Sequence, residues 1–307
     1  MHDFPSLAVA PGEERNFVCQ SWTLHNDAPI FVNTVSFVGG PGWHHSNWLY
    51  APEKDFAGPD GTWNCVDRGF ELVEAGLSGG LIYTQSPEAQ AEAQQFPPGV
   101  AVVIPPHSKI IAELHLLNVS ERAMTMHAHL ELETLPEATV VTRLAPLALS
   151  YYPLALPPSS RSAFTTECDL VEATGKPLDF RLYYLAPHYH ALGTGMTIES
   201  YGGAASRMIY EVNRPIGETL GTSLAQPFDL TGAQGIRFGC RYQNSLSRVI
   251  GFGSGQADEM CVLFAFTDSP RRMIGGVLRG TENRPVEKAD TTTPTFTSAC
   301  RVLSLPN

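Results

Sequence analysis

Apolar and polar positions alternate along much of the chain with a period of two, the period of an extended strand whose successive side chains point to opposite faces. In KIIAELHLLNV (109–119), Ile110, Ala112, Leu114 and Leu116 form one face, leaving Glu113 and His115 together on the other. In AMTMHAHLELETL (123–135), Met124, Met126, Ala128, Leu130 and Leu132 share one face. Thr125, His127, His129, Glu131 and Glu133 share the opposite one, so His127 and His129 are expected at the solvent. FVNTVSFV (31–38), GVAVVIPP (99–106), IRFGCRY (236–242) and MCVLFAF (260–266) are also short, often alternating, and mostly bounded by Gly, Pro, Asn or Asp. Only SPEAQAEAQQ (86–95) reads as a short amphipathic helix. The fold class expected is all-β, built of sandwiches or jelly rolls.

At 307 residues the chain suits two domains of about 150 residues, each able to bury a core. The proline-rich LSYYPLALPPSS (149–160) is the expected boundary, because proline cannot join the middle of a sheet, which gives domains 1–150 and 151–307. With 20 Lys and Arg against 31 Asp and Glu the net charge is -11, and there is no basic run. Nucleic acid and anionic membrane surfaces are poor partners for such a chain. No apolar segment approaches the roughly 18 residues that span a bilayer, and the start MHDFPSLAVAPGEER lacks the pattern of an export signal. Six cysteines, Cys19, Cys65, Cys168, Cys240, Cys261 and Cys300, are widely spaced with no CxxC pair. That spacing suits disulfides in an oxidising compartment, secreted or periplasmic, better than a zinc site, with buried free thiols as the alternative.

Histidines supply the candidate chemistry. In His188-Tyr189-His190 two imidazoles lie two residues apart and face the same way on an extended strand, which lets them clamp one metal ion. A bare His-x-His is more often two polar residues on a solvated face, so partners decide. His44 and His45, in GGPGWHHSNWLY (39–50), are adjacent, and adjacent residues on a regular strand face opposite ways. They reach one metal only at a strand end or a bulge, and Gly39-Gly40-Pro41-Gly42 allows such an irregularity. His2, His25 and His107 have no patterned partner and are assigned to the surface or loops. In RVIGFGSGQADEMCVLFAF (248–266) a glycine-rich turn leads to Met260, a core residue unless two imidazoles lie nearby. A thioether beside imidazoles is a soft site that suits copper better than zinc or magnesium. Asn118-Val119-Ser120 matches a glycosylation sequon.

The ordered set HH (44, 45), ELH (113–115), HYHALG (188–193) and DEMC (258–261), with PPGV (97–100) ahead of the ELH strand, resembles the copper type II, ascorbate-dependent monooxygenases. That family includes peptidylglycine alpha-hydroxylating monooxygenase and dopamine beta-monooxygenase. The resemblance covers nearly the whole chain. It implies two tandem jelly-roll-like antiparallel β-sandwiches facing each other across a cleft. It implies an electron-transfer copper at His44, His45 and His115 in the first domain, and an oxygen-activating copper at His188, His190 and Met260 in the second. It implies disulfides Cys19 to Cys65, Cys240 to Cys261 and Cys168 to Cys300. The implied activity is hydroxylation of an activated C–H bond with O2 and ascorbate or an equivalent one-electron reductant as co-substrate. Groups that orient the imidazoles are expected, with Glu113, Asp258 and Glu259 as candidates.

The chain departs from the family at the substrate. Peptide-amidating members grip a carboxylate with an arginine two residues before the His-x-His pair and with an asparagine and a tyrosine after the methionine. Those positions here are Ala186, Val262 and Phe264, which cannot pair a carboxylate. A small apolar or aromatic molecule is therefore the expected substrate. Two other classes remain: a non-catalytic copper-binding protein for storage, delivery or sensing, and a β-sandwich binding module whose histidines are incidental. Ascorbate-dependent oxygenation separates the first from an enzyme, and absence of copper affinity marks the second.

Overall fold

The structure is a computed structural model that describes residues 2–203, 206–255, 257–286 and 293–306. It is all-β. The chain divides into two compact units, Met1–Pro146 with Gly217–Thr219, and Leu147–Ile216 with Leu220–Asn307. The division falls inside the strand Thr142–Tyr151, between residues 146 and 147 and ahead of the proline-rich stretch 149–160, all of which belongs to the second unit.

In the first unit, strands Gly61–Asn64, Glu14–Thr23, Ser108–Leu117, Trp43–Pro52 and Gly80–Thr84 form an antiparallel sheet in that spatial order. A second sheet pairs Ala128–Leu135 with Ile30–Gly39, and Ile30–Gly39 with both Ala91–Gln95 and Val100–Ile104. The sheets are joined through aromatic rings. Phe37 of the second lies 5.9 Å from Trp43, 6.0 Å from Trp48 and 5.8 Å from Tyr83 of the first, all four buried. Aromatic contacts at such spacing add to area burial and specify how two sheet faces interdigitate.

In the second unit, Arg207–Val212, Gly193–Tyr201, Gly235–Asn244 and Ser160–Asp169 run antiparallel in one sheet. The other contains Thr222–Asp229, Arg181–His188 and Val262–Thr267, with Leu147–Tyr151 parallel to Met273–Val277. Their inner faces meet in one core that includes Phe164, Ile198 and Phe238 from the first sheet and Leu147, Leu182 and Leu263 from the second. Two disulfides cross this core's margins. Cys240–Cys261 ties Gly235–Asn244 to the start of Val262–Thr267, and Cys168–Cys300 ties Ser160–Asp169 to the start of Arg301–Pro306. Cys19–Cys65 closes the edge of the first unit's antiparallel sheet.

The alternation assigned to 123–135 holds: Met126, Ala128 and Leu130 are buried while His127 is exposed and His129 half-buried, its Nδ1 2.6 Å from Asp3. The helix expected over 86–95 is absent. Ala91–Gln95 is a strand in which Glu92 and Gln94, not the alanines, point inward. Glu92 Oε1 accepts from the Tyr83 hydroxyl at 2.5 Å and the Ser86 N–H at 2.6 Å, and the Gln94 amide donates to the Ile82 carbonyl. Sheet partners thus override the helical preference of Ala, Glu and Gln. The helices that do form, Leu72–Ser78 and Leu170–Thr174, are only one to two turns long. No helix among the described residues is long and apolar enough to cross a membrane. The sequon asparagine is buried just past a strand end, its amide donating to the Val9 and Arg122 carbonyls while its oxygen accepts from Ser120. Asn118 is a turn-closing residue, not an exposed acceptor.

Loops of 46, 132 and 21 residues are closed by the three bridges, and chain-entropy arguments assign each about 3 to 5 kcal/mol. Peptide mapping of native protein without reduction should recover Cys19 with Cys65, Cys168 with Cys300 and Cys240 with Cys261. Alkylation of any of the six thiols before reduction would contradict the fold.

Candidate metal centres

The first centre is made by one irregularity in one strand pair. Trp43–Pro52 runs antiparallel to Ser108–Leu117, with Ser46 opposite Leu114 and His45 opposite His115. Trp43, however, lies opposite Leu116, so His44 has no residue across from it and is the extra residue of a β-bulge. The turn that delivers this bulge holds Gly42 at φ 86°, and the Met126 side chain occupies the space where a Cβ would stand. Only glycine fits there. The bulge swings His44 to the side of His45 and His115. The ring centroids are 5.1 Å (His44 to His45), 4.7 Å (His44 to His115) and 5.0 Å (His45 to His115) apart. One nitrogen from each ring lies within 4.8 Å of the other two, and all three residues are buried.

Carboxylates select which nitrogen two of the three rings present. His44 Nδ1 lies 3.2 Å from Glu88 Oε1, and His115 Nε2 lies 2.8 Å from Glu14 Oε1. A carboxylate accepts, so these nitrogens carry the protons, leaving Nε2 of His44 and Nδ1 of His115 with lone pairs. The His115 Nδ1 is buried with no hydrogen-bond partner among the described residues, an arrangement that costs free energy unless a metal takes the lone pair. Burial and the neighbouring His44 hold the His115 imidazole down at about 4, against the pull of Glu14, so the ring is neutral and ready to ligate at ordinary pH. The hydrogen bond from His44 keeps Glu88 below the usual carboxylate range. Glu88 sits at φ 61° and its N–H donates to the His44 carbonyl at 2.6 Å, so it grips the bulge residue at both ends. Strain of this kind in a non-glycine residue marks a position the surroundings over-determine.

The second set is built at the end of Arg181–His188. His188 and His190 are buried, with ring centroids 5.5 Å apart. His190 Nδ1 lies 3.1 Å from the Asp258 carbonyl, which only accepts, so Nδ1 carries the proton and Nε2 is the ligating nitrogen. Tyr189 between them is fully buried, its hydroxyl donating to the Arg214 carbonyl at 2.5 Å, and its ring lies where any side chain at Gly193 would have to stand. His188 pairs across the sheet with Val262, and Met260 lies two residues before Val262 on the same chain segment. Half-buried Met260 is held from both sides, by the Tyr242 hydroxyl donating to its carbonyl at 2.6 Å and by the neighbouring Cys261 disulfide. His188 and His190 are the two donors that the structure brings together here, and Met260 enters the segment beside them through its backbone.

Ala186 pairs with Phe264, and His188 with Val262, so the three candidate substrate residues share the face of His188. The Phe264 ring meets the His188 ring edge-on at 6.5 Å. None of the three carries a polar side-chain atom. Of the expected orienting acids, Glu113 touches no ligand ring in the hydrogen bonds observed; burial, with Glu71 nearby, lifts its carboxyl to about 7. Asp258 acts through its backbone carbonyl. Glu259 acts on backbone, through N–H groups of the His190 turn. The residues that sequence reasoning missed are Glu14 and Glu88. Glu14 lies 101 positions from His115, and Glu88 falls in the segment read as helix. Among the other histidines, His2 stacks on Trp22 at 4.6 Å, while His25 and His107 occupy turns at positive φ.

No protein-family model and no curated protein matches this sequence. Among solved structures, the chain is similar to a triple jelly-roll protein of the turret assembly of an archaeal virus. The identity is 10%, over 85% of this chain and 58% of that one, at a TM-score of 0.25. It is also similar to PBCV-1 VP54, as fitted into a cryo-EM reconstruction of the virophage Sputnik, at 9% identity over 86% of this chain and 92% of that one, with a TM-score of 0.28. At these scores the likenesses carry no argument about the sites.

Removing either orienting carboxylate should loosen the first centre without unfolding the unit. Glu14→Ala and Glu88→Ala are each expected to lower metal-ion affinity there about 10- to 100-fold. Competition with a chromogenic Cu(I) chelator measures this, with His129→Ala as the unaffected control. Wild-type affinity in both glutamate variants would show that the rings are held by something else.

Proposed function

We propose that this chain is a copper type II, ascorbate-dependent monooxygenase. In this proposal it works in an oxidising compartment, secreted or periplasmic, and hydroxylates an activated C–H bond of a small apolar or aromatic substrate. The observation that carries the proposal is the bulge at His44. A regular strand would point His44 away from His45, and a purely structural strand pair gains nothing from turning three imidazoles toward one point. Copper bound to the two donor sets would supply one-electron cycling at the three-imidazole centre and O2 activation at the centre with the thioether.

The chain's own residues have distinct parts in this function. Glu14 and Glu88 hold His115 and His44 in the tautomers that leave lone pairs toward the centre. The Asp258 carbonyl does the same for His190. The Cys240–Cys261 bridge and the Tyr242 hydroxyl fix the backbone of Met260. Ala186, Val262 and Phe264 offer a substrate only apolar contact beside His188. A bare carboxylate set against them would go unpaired at a cost of several kcal/mol, which argues against a peptide C-terminus and for a neutral, apolar or aromatic molecule. Three disulfides support the oxidising compartment.

Anaerobic reduction with ascorbate, followed by O2 and a library of small aromatic and aliphatic compounds, should give a product one oxygen heavier by mass spectrometry. Copper binding with no oxygenated product across the library would leave a non-catalytic copper protein instead. Met260→Leu nearly conserves volume and should cost less than about 1.5 kcal/mol of stability. The variant is expected to keep copper at His44, His45 and His115 and to lose both Cu(I) affinity at His188 and His190 and oxygenation. Met273→Leu, in the core of the same unit, is the control. Wild-type Cu(I) binding and turnover in Met260→Leu would remove Met260 from the ligand set.

A further inference from the structure

We infer that Glu259 is the positioning residue of the second centre, a single buried side chain that fixes the backbone carrying His190 while its own backbone fixes Met260. This rests on the copper reading of His188, His190 and Met260 and goes beyond it, because Glu259 touches neither imidazole and is not itself a ligand.

The chain leaves strand Arg181–His188 at His188 and enters Gly193–Tyr201 at Gly193, so the amides between them have no sheet partner. Buried backbone N–H groups need acceptors. Glu259 supplies them: Oε2 accepts from the His190 N–H at 2.9 Å and Oε1 from the Leu192 N–H at 2.6 Å, with the residue 1% exposed. A carboxylate is the one side chain that offers two acceptor oxygens and no donor, so it can bridge two amides of one turn without a clash. Withdrawing such a group from water is costly. A turn that only had to be closed could face solvent or a backbone carbonyl.

What the carboxylate adds is a link across the ligand set. The Glu259 N–H donates to the Gly251 carbonyl at 3.0 Å, and its carbonyl accepts from the Gly253 N–H at 3.1 Å. These bonds anchor the residue before Met260 to the glycine-rich turn; Gln256, within that turn, lies outside the described residues. On the other side of Met260, Cys261 is bridged to Cys240. The preceding residue, Asp258, accepts the His190 Nδ1–H hydrogen bond on its carbonyl. Three consecutive residues therefore serve one centre: Asp258 sets the His190 tautomer, Glu259 sets the His190 backbone, and Met260 is the soft donor. Moving the Glu259 carboxylate changes the spacing between His190 and Met260 even though no ligand is lost.

Glu259→Gln tests this in the full-length protein. Gln keeps the shape but replaces one acceptor oxygen with a donor that faces an amide donor. In the metal-free variant, hydrogen exchange at the 189–193 peptide should speed up. After loading, the Cu(I) affinity of the second centre should fall about 10- to 100-fold and its Cu(II) electron paramagnetic resonance signal should change, with the first centre unaltered. If Glu259→Gln does not fold, Glu259→Asp, which keeps the charge but shortens the reach, carries the same expectations. Wild-type affinity and spectrum in a folded variant would overturn the inference while leaving the function intact. Failure of the unmodified protein to bind copper at His188 and His190 would overturn both, and the two failures are told apart by that wild-type titration.

Discussion

Everything at the first centre depends on the cross-strand pairing of His45 with His115 one residue after a bulge. Strand alternation is strict, and a single extra residue is the smallest change that brings neighbours in sequence to one face. Here that residue is His44 itself, opposite nothing on the Ser108–Leu117 strand. Gly42 at φ 86° with Met126 packed against it makes the bulge a built feature, since a side chain at 42 would be strained in φ and would meet the Met126 side chain. The strand pair lies in the middle of its sheet, between Glu14–Thr23 and Gly80–Thr84, which keeps the register from slipping.

Both candidate centres orient their imidazoles from behind, in different ways. The first uses carboxylates, Glu14 and Glu88, which also place negative charge close to a site that would bind a cation. At the second the orienting acceptor is the Asp258 carbonyl, and the nearby carboxylate of Glu259 is spent on backbone amides. Burial lifts Glu259 to about 7, opposed by the amide hydrogen bonds it receives. The outcome for His44, His115 and His190 is an imidazole with one nitrogen committed to an acceptor and the other left for a ligand.

Much of this was legible in the sequence because period-two alternation reports strands directly. Residues 31–38 and 236–242 fall in strands Ile30–Gly39 and Gly235–Asn244, and 99–106 contains strand Val100–Ile104. The irregularity needed to unite His44 and His45 could be read from Gly39-Gly40-Pro41-Gly42. What could not be read was any polar residue whose role depends on a distant partner. Glu14 looks like one more exposed acid at a strand start until the fold brings His115 beside it. Ala91–Gln95 has the composition of a helix, and only Tyr83 and the Ile82 carbonyl explain why Glu92 and Gln94 point inward. The short helix Leu72–Ser78 was missed because it contains Gly76 and spans only 7 residues, too few for a periodic pattern.

X-ray absorption at the copper edge of the fully loaded, ascorbate-reduced protein tests the central claim most directly, because it counts donor atoms without needing a substrate. The account expects two coppers per chain, with nitrogen donors at both and one sulfur donor shared over the pair, lost in Met260→Leu. A single copper per chain, or two with nitrogen and oxygen donors only, would contradict it.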